Sequence, residues 1–178
     1  MKCSDIESLT PCDSGTASDV EFNSVTEDSR RVVSGSLFVA VSGEGADGHD
    51  FVGRAEDSGA VAVLGERAGV AELAGLPYIR SPHARRTLGI LAHSLAGDPS
   101  RDLKVIGVTG TNGKSSTVFL IQQLLESCGH PTANFGTLGY FVGETTRPAA
   151  HTTPFGEDLA SLFREAREVG LTHAAMEA

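Results

Sequence analysis

The sequence predicts an α/β fold in two parts. A small N-terminal α/β domain spans residues 1–98, and a truncated phosphate-loop α/β domain spans residues 99–178. Three observations predict it. Short apolar runs alternate with segments whose apolar residues recur at helical spacing, the pattern of a mostly parallel sheet covered by helices. Gly97-Asp98-Pro99-Ser100 interrupts that alternation and reads as a linker. Val105-Ile106-Gly107-Val108-Thr109-Gly110-Thr111-Asn112-Gly113-Lys114-Ser115-Ser116 then runs from an apolar strand through a glycine loop to a Lys-Ser pair and a helix pattern. That is the order of a phosphate-binding loop.

In the first part, Leu37 to Val41 is a short apolar strand, and Phe51, Val52 and Ala55 form a helical face with Asp47 near its start. Ala60 to Leu64 is a second strand and Tyr78-Ile79 a short third. Ser81-Pro82 opens a helix as N-cap and first-turn proline, with Leu88, Leu91, Ala92 and Leu95 on its buried face.

In the second part, Val105 to Val108 is expected as a buried strand. Leu120, Ile121, Leu124, Leu125 and Cys128 mark the apolar face of the following helix, which places Cys128 in the core. Gly129 and Pro131 stop that helix. A glycine-spaced stretch from Phe135 to Phe141 comes next. Thr153-Pro154 then opens a helix as N-cap and first-turn proline, with Leu159, Leu162, Phe163 and Ala166 on one face and Gly170 at its end. Thr172 to Ala178 reads as a strand carrying Glu177. With no helix after it, the second domain is expected to be incomplete and to leave buried-type surface without partners.

Composition narrows the function. Hydrophobic residues make up 40% of the 178, enough for a packed core, and the formal net charge is −9. No Lys/Arg cluster is longer than a pair, which argues against nucleic acid as the main partner. The three cysteines, Cys3, Cys12 and Cys128, show no C-x-x-C pairing, so neither a disulfide framework nor a zinc site is expected and a reduced cytoplasm suits them. No apolar run reaches membrane-spanning length.

The chemistry follows from residue types. Backbone N–H groups freed at the glycine turn and at the helix N-terminus attract phosphate. Lys114 supplies a point charge for the β- and γ-phosphates, and the Ser115 hydroxyl a ligand for Mg²⁺. The usual phosphate-loop spacing would put a glycine where this chain has Val108, with Gly107 and Gly110 supplying flexibility instead. Glu177, near the carboxyl end of its strand, is a second candidate Mg²⁺ ligand; the alternative is a solvated glutamate at a frayed terminus. Thr152 and Thr153 put two hydroxyls at an expected helix N-terminus, a possible second anion site, although an N-cap alone explains Thr153. The loop Ser42 to Gly48 holds three glycines and lets backbone approach a ligand, or is an ordinary connection.

Taken together, these residues resemble the Mur ligase family, MurE type. Asp28-Ser29-Arg30, Gly35-Ser36-Leu37-Phe38-Val39-Ala40 and Ala46-Asp47-Gly48-His49 are similar to the family's N-terminal uridine-binding domain. Gly107 to Ser116 resembles its ATP loop. Phe135-Gly136-Thr137-Leu138-Gly139 and His151-Thr152-Thr153-Pro154 resemble MurE segments, and Met176-Glu177-Ala178 resembles the start of a longer motif. The MurF type shares the N-terminal pattern but is not expected to carry the Gly-Thr-Leu-Gly and Thr-Thr-Pro segments.

The resemblance implies an ATP- and Mg²⁺-dependent amide ligase of peptidoglycan precursor synthesis, and so of cell-wall biogenesis, cell shape and division. It would add meso-diaminopimelate or L-lysine to UDP-N-acetylmuramoyl-L-alanyl-D-glutamate through an acyl phosphate. It implies ATP contacts at Gly110, Thr111, Asn112, Gly113, Lys114, Ser115 and Ser116, with Lys114 also catalytic. It implies contacts to the muramyl substrate at Glu27, Ser29, Glu44, Gly45, Ala46, Thr152 and Thr153, and a magnesium position at Glu177. Glu27 stands where a leucine can occur. The family's lysine that is carbamylated to bridge magnesium and its C-terminal domain are not in these residues, so the chain is expected to be inactive alone. Two other readings stand beside it: a stand-alone P-loop NTPase or kinase, and a non-enzymatic module that binds a UDP-sugar and ignores ATP.

Overall fold

The computed structural model describes residues 1–43, 45–149 and 151–178, divided into two compact units, Met1–Leu95 and Ala96–Ala178. In the first, α1 (Ile6–Leu9) and β1 (Ser24–Thr26) lead to β2 (Ser36–Ala40), α2 (Val52–Asp57), β3 (Ala60–Gly65), β4 (Glu72–Leu73), β5 (Leu76–Arg80) and α3 (Ala84–Leu95). The strands form a sheet in the order β1-β2-β3-β5-β4, parallel except for the β4–β5 hairpin. Every residue of β2 is buried, as a strand covered on both faces requires. Phe38, Ala40, Val63 and Tyr78 pack with Val52 and Ala55 of α2. The alternating residues Leu37, Val39, Leu64 and Ile79 are buried as well, and α3 packs along β1 and β2 with Leu88 and Leu91 inside. Helix α3 begins at Ala84, later than the Ser-Pro signal suggested. Ser81 is instead buried, accepting from the His83 N–H at 3.3 Å and sharing a 2.8 Å hydrogen bond with Thr87.

The second unit runs β6 (Lys104–Val108), α4 (Lys114–Ser127), β7 (Thr132–Gly136), β8 (Gly139–Val142), β9 (Thr145–Arg147), α5 (Gly156–Glu168) and β10 (His173–Glu177). Its sheet has the order β6-β10-β7-β8-β9. β6, β10 and β7 are parallel, while β8 and β9 extend the sheet antiparallel, two strands the periodicity did not single out. The two faces differ in chemistry. Ala133, Phe135, Ala174, Met176, Tyr140 and Val142 pack with Leu162, Phe163 and Ala166 of α5 around the Phe135 ring, which lies 5.7 Å from Phe163. The alternate residues, Thr132, Asn134, Gly136, Ala175 and Glu177, are small or polar, and α4 lies over β7 and β10.

That polarity explains where the apolar expectations fail. Only Val118 of α4 is fully buried; Leu120 is 57% and Leu124 66% exposed, and Cys128 is exposed rather than core. β6 is an edge strand with exposed residues, not a buried one. Helical periodicity identifies an apolar stripe but not which part of it meets a partner, and the sheet beneath α4 offers Asn134 to Gln122 (2.8 Å) where a core would offer leucine. Among the described residues no helix is long and apolar enough to cross a membrane. Removing two methyls in Val118→Ala should therefore cost about 2 kcal/mol. Leu124→Ser should stay within about 0.5 kcal/mol in the same urea titration. Equal losses would refute this account of α4.

Candidate functional site

The register of three parallel strands assembles the site in the second unit. Glu177 pairs with Val108, the last residue of β6, and Met176 pairs with Phe135, so the loop after β6, the end of β10 and the end of β7 share one edge. Ligands gather at the carboxyl ends of such strands. The loop turns through Gly110 and Gly113, and Gly113, at φ 77°, caps α4. The first N–H groups of α4 have no partner within the helix, which leaves them available to an anion. Gly110, Thr111, Asn112, Gly113 and Ser116 are exposed, Lys114 and Ser115 half-buried. The Lys114 ammonium donates to the Gly110 carbonyl at 2.7 Å, held over its own loop.

Glu177 is the centre of the arrangement. It is 2% exposed, so the frayed-terminus alternative is corrected. A buried carboxylate must be hydrogen-bonded. Its Oε1 accepts from Ser115 Oγ at 2.8 Å and from the Thr137 N–H at 2.8 Å, and its Oε2 accepts from Thr137 Oγ1 at 3.2 Å. Space for the carboxylate exists because residue 136 is glycine: a Cβ there would collide with Glu177 Oε1. The two expected magnesium positions, Ser115 and Glu177, are thus in direct contact. One hydroxyl and one carboxylate at the mouth of a phosphate loop fit Mg²⁺, which takes few protein oxygens and completes its octahedron with water and phosphate.

Thr152 and Thr153 reach the same site by a different route from the one their spacing suggested. They do not cap α5, which begins at Gly156 with Phe155 at its N-cap. Thr137 Oγ1 lies 3.3 Å from Thr152 Oγ1, and Thr153 Oγ1 donates to the Glu177 carbonyl at 3.3 Å. Tyr140 anchors the preceding residue, its hydroxyl donating to the His151 carbonyl at 2.8 Å. Thr137 joins the phosphate-loop side of this cluster to the Thr152 side, a role that spacing did not reveal. Its signal in the sequence is a threonine directly after a strand-ending glycine.

The remaining expected residues lie in the first unit. Glu27 and Ser29 follow β1, and Gly45 and Ala46 follow the adjacent parallel strand β2. Asp28 shapes the first loop by accepting from the Arg30 N–H and side chain, both at 2.9 Å, with Ser29 buried inside the turn. Glu27 approaches Arg85 of α3 at 3.6 Å. Gly45 and Ala46 are exposed, and the Ala46 carbonyl accepts from the Gly43 N–H at 2.9 Å. Glu44 lies outside the described residues. Asp47 closes the loop, bonded to the His49 N–H (3.0 Å) and imidazole Nδ1 (2.6 Å) and to Arg67 (2.8 Å).

These bonds hold two carboxylates down. The Arg30 guanidinium lowers Asp28 to about 2, and the His49 N–H and imidazole hold Asp47 below the usual carboxylate range. A folded-state pKa below the unfolded value of about 3.9 gives stability that is present above about pH 4 and lost as pH falls through the folded pKa. Melting temperature should therefore decline from about pH 4 toward about pH 2, and less steeply in Asp28→Asn and Asp47→Asn. An unchanged slope in both variants would count against these bonds. In Gly136→Ala the displaced Glu177 should cost about 1–3 kcal/mol of stability, read by denaturant titration, and a neutral result would mean the carboxylate is not seated as described.

The comparisons with known proteins identify the family. A model described as the Mur ligase family, catalytic domain, matches residues 21–95, and one described as the Mur ligase middle domain matches residues 108–178. The UDP-N-acetylmuramyl-tripeptide synthetase of Deinococcus radiodurans is 43% identical over 163 residues, covering 90% of this chain and 33% of that protein. The UDP-N-acetylmuramoyl-L-alanyl-D-glutamate–2,6-diaminopimelate ligase of Syntrophomonas wolfei is 42% identical over 163 residues, covering 89% of this chain and 32% of its own. A solved structure of a ligase with that same substrate name superposes on 100% of this chain and 36% of its own, with a TM-score of 0.77 at 26% identity. A MurF ligase from Thermotoga maritima, solved in complex with ADP, covers 89% of this chain and 32% of its own, with a TM-score of 0.53 at 25% identity. The chain spans about a third of the length of the curated relatives it matches.

Proposed function

The chain belongs to the Mur ligase family, and from that premise we propose that it is part of an ATP-dependent amide ligase of the MurE type acting in cytoplasmic peptidoglycan precursor synthesis. The substrate would be UDP-N-acetylmuramoyl-L-alanyl-D-glutamate and the incoming group a diamino acid. The observation that carries the reading is the chain of contacts from Ser115 through Glu177 and Thr137 to Thr152, which joins a phosphate loop to a pair of substrate-type hydroxyls over hydrogen bonds of 2.8–3.3 Å. A kinase or NTPase would need the first half of that chain and has no evident use for the second. A UDP-sugar module would need neither.

In the proposed reaction, a γ-carboxylate oxygen of the D-glutamyl residue attacks the γ-phosphorus of ATP, forming the acyl phosphate and releasing ADP. The amine of the diamino acid then attacks the acyl carbon; the C–O bond to phosphate breaks, phosphate leaves, the nitrogen loses its proton and an amide remains. The residues of this chain manage charge and position. Lys114 and the loop amides from Gly110 to Ser116 offset negative charge on the phosphates, which crowd against a substrate that is itself anionic. Mg²⁺, held by Ser115 and Glu177, would neutralise part of the charge on the phosphate oxygens. Thr152 and Thr153 hold the muramyl end near the phosphate loop, where orientation counts for much of the rate. Glu27, Ser29, Glu44, Gly45 and Ala46 take the uridine nucleotide in the first unit.

Calorimetric titration separates the two ligands. Lys114→Ala should weaken Mg-ATP binding at least about tenfold and leave the affinity for the UDP-muramyl dipeptide unchanged. Ser29→Ala should do the reverse. ATP binding by Lys114→Ala at the strength of the parent chain would sink the assignment of this loop.

A further inference from the structure

The first unit holds a closed ring of polar contacts that the reaction does not use. His49 is 7% exposed. Its Nδ1 lies 2.6 Å from Asp47 Oδ1 and its Nε2 2.8 Å from the Tyr78 hydroxyl. The Tyr78 oxygen accepts from the Arg67 N–H at 3.1 Å, and the Arg67 guanidinium returns to Asp47 Oδ2 at 2.8 Å. A carboxylate only accepts, so Nδ1 donates to Asp47, while Nε2 and the Tyr78 hydroxyl share the second hydrogen bond. Every group in the ring is satisfied, the condition under which a buried polar network rigidifies its surroundings. The close approach of imidazole and phenol is possible only because residue 65 is glycine, where a Cβ would collide with the Tyr78 hydroxyl and lie 2.7 Å from His49 Nε2.

The ring ends on the loop that follows β2. Asp47 is bridged to Ser42, whose hydroxyl donates to it at 3.2 Å, and the Gly48 N–H donates to the Val41 carbonyl at 2.9 Å. Gly43, Gly45 and Ala46 have no side chains long enough to reach a partner, and among the described residues of this loop the side-chain contacts are those of Ser42 and Asp47. We propose that His49 is a positioning residue for ligand binding: its buried imidazole, braced by Tyr78, holds Asp47 and thereby fixes the Gly45–Ala46 backbone in the form that receives the uridine diphosphate group of the substrate. This rests on the function proposed above. A core aspartate and histidine serving only stability would be replaced at little loss by apolar residues; a pair that shapes an exposed backbone would not.

Two substitutions at one position test it. In His49→Asn the side-chain amide takes the place of Nδ1 and keeps the bond to Asp47. In His49→Gln it takes the place of Nε2 and keeps only the bond to Tyr78. Both lose the ring and one hydrogen bond, so a merely structural role predicts equal effects. The first readout needs no ligand: hydrogen exchange of the Gly43, Gly48 and His49 amides in the 178-residue chain. Exchange should rise about tenfold in His49→Gln, the loss of roughly one hydrogen bond, and stay within about twofold of the parent in His49→Asn. Equal exchange in the two variants, raised or not, overturns the proposal. Should both fail to fold, Asp47→Asn, which leaves the buried ring atoms in place, must raise exchange of the same amides; unchanged exchange there also overturns it. The second readout is calorimetric binding of the UDP-muramyl dipeptide. About tenfold weaker binding by His49→Gln, with His49→Asn near the parent value, supports the positioning role. Equal affinity in the two variants refutes it. Absence of binding by the parent chain, with the exchange pattern as expected, would refute the proposed function and leave the loop-ordering result standing.

Discussion

A buried carboxylate with three hydrogen-bond donors organises the second unit. Glu177 is enclosed at the end of β10, and its seat requires Ser115 at the first turn of α4, the Thr137 N–H and hydroxyl beyond β7, and the missing side chain at Gly136. Any one of these donors lost would leave part of a charge buried without compensation, which costs more than an ordinary hydrogen bond contributes. The constraint propagates outward. It fixes the register of β6, β10 and β7, because the carboxylate and the Thr137 amide meet only if Glu177 stands beside Val108 and Met176 beside Phe135. It also fixes the composition of the sheet face under α4, where bulk would exclude the carboxylate and its partners.

That face explains the uneven packing of the unit. α5 covers an aromatic and aliphatic surface centred on Phe135, and the stability of the unit is concentrated there. α4 covers Thr132, Asn134, Gly136 and Glu177, and holds on through Val118, the Gln122–Asn134 hydrogen bond and the contact of Ser115 with Glu177. A helix carrying a phosphate loop is thus seated by one fully buried apolar residue, the half-buried Ile121 and Leu125, and two polar side-chain contacts. Ligand at its N-terminus would add to its stability by linkage rather than replace a core it already has. Apolar Leu120 and Leu124 point away from that face, and their exposure follows from which side of α4 the polar sheet occupies.

How far the sequence revealed this can be judged residue by residue. The strand–loop–helix order from Val105 to the α4 helix was legible because spacing and residue type are local signals. The core side of α5 was legible too, since Leu162, Phe163 and Ala166 meet a sheet that is uniformly apolar on that face. The burial of α4 was not, because period alone cannot say whether the opposing surface is leucine or asparagine. Thr153-Pro154 and Ser81-Pro82 both carry the signature of a helix start, and in both the helix begins later. The Thr153 hydroxyl is drawn to the Glu177 carbonyl, outside the helix, and the Ser81 hydroxyl to the side chain of Thr87, inside α3. Capping signals describe what a hydroxyl does when nothing better is near. Thr137 was hidden for a related reason: it serves a group 40 residues away along the chain, and only the strand register brings the two together.

The two units solve one physical problem in the same way. Each presents exposed residues with short side chains beyond the carboxyl end of a parallel strand, Gly110 and Gly113 after β6 and Gly43, Gly45 and Ala46 after β2. Short side chains let backbone amides approach a ligand, but they supply no anchors and leave more conformational entropy to lose. In each unit a carboxylate behind the loop supplies the anchor: Glu177 holds Ser115 in one, and Asp47, itself held by His49, ties Ser42 in the other. Both depend on a strand-ending glycine, Gly136 or Gly65, that opens room for the anchoring groups. A glycine at the end of a buried strand therefore marks, in each unit, where the side chains that hold the neighbouring loop are packed, which the glycines inside the loop do not show.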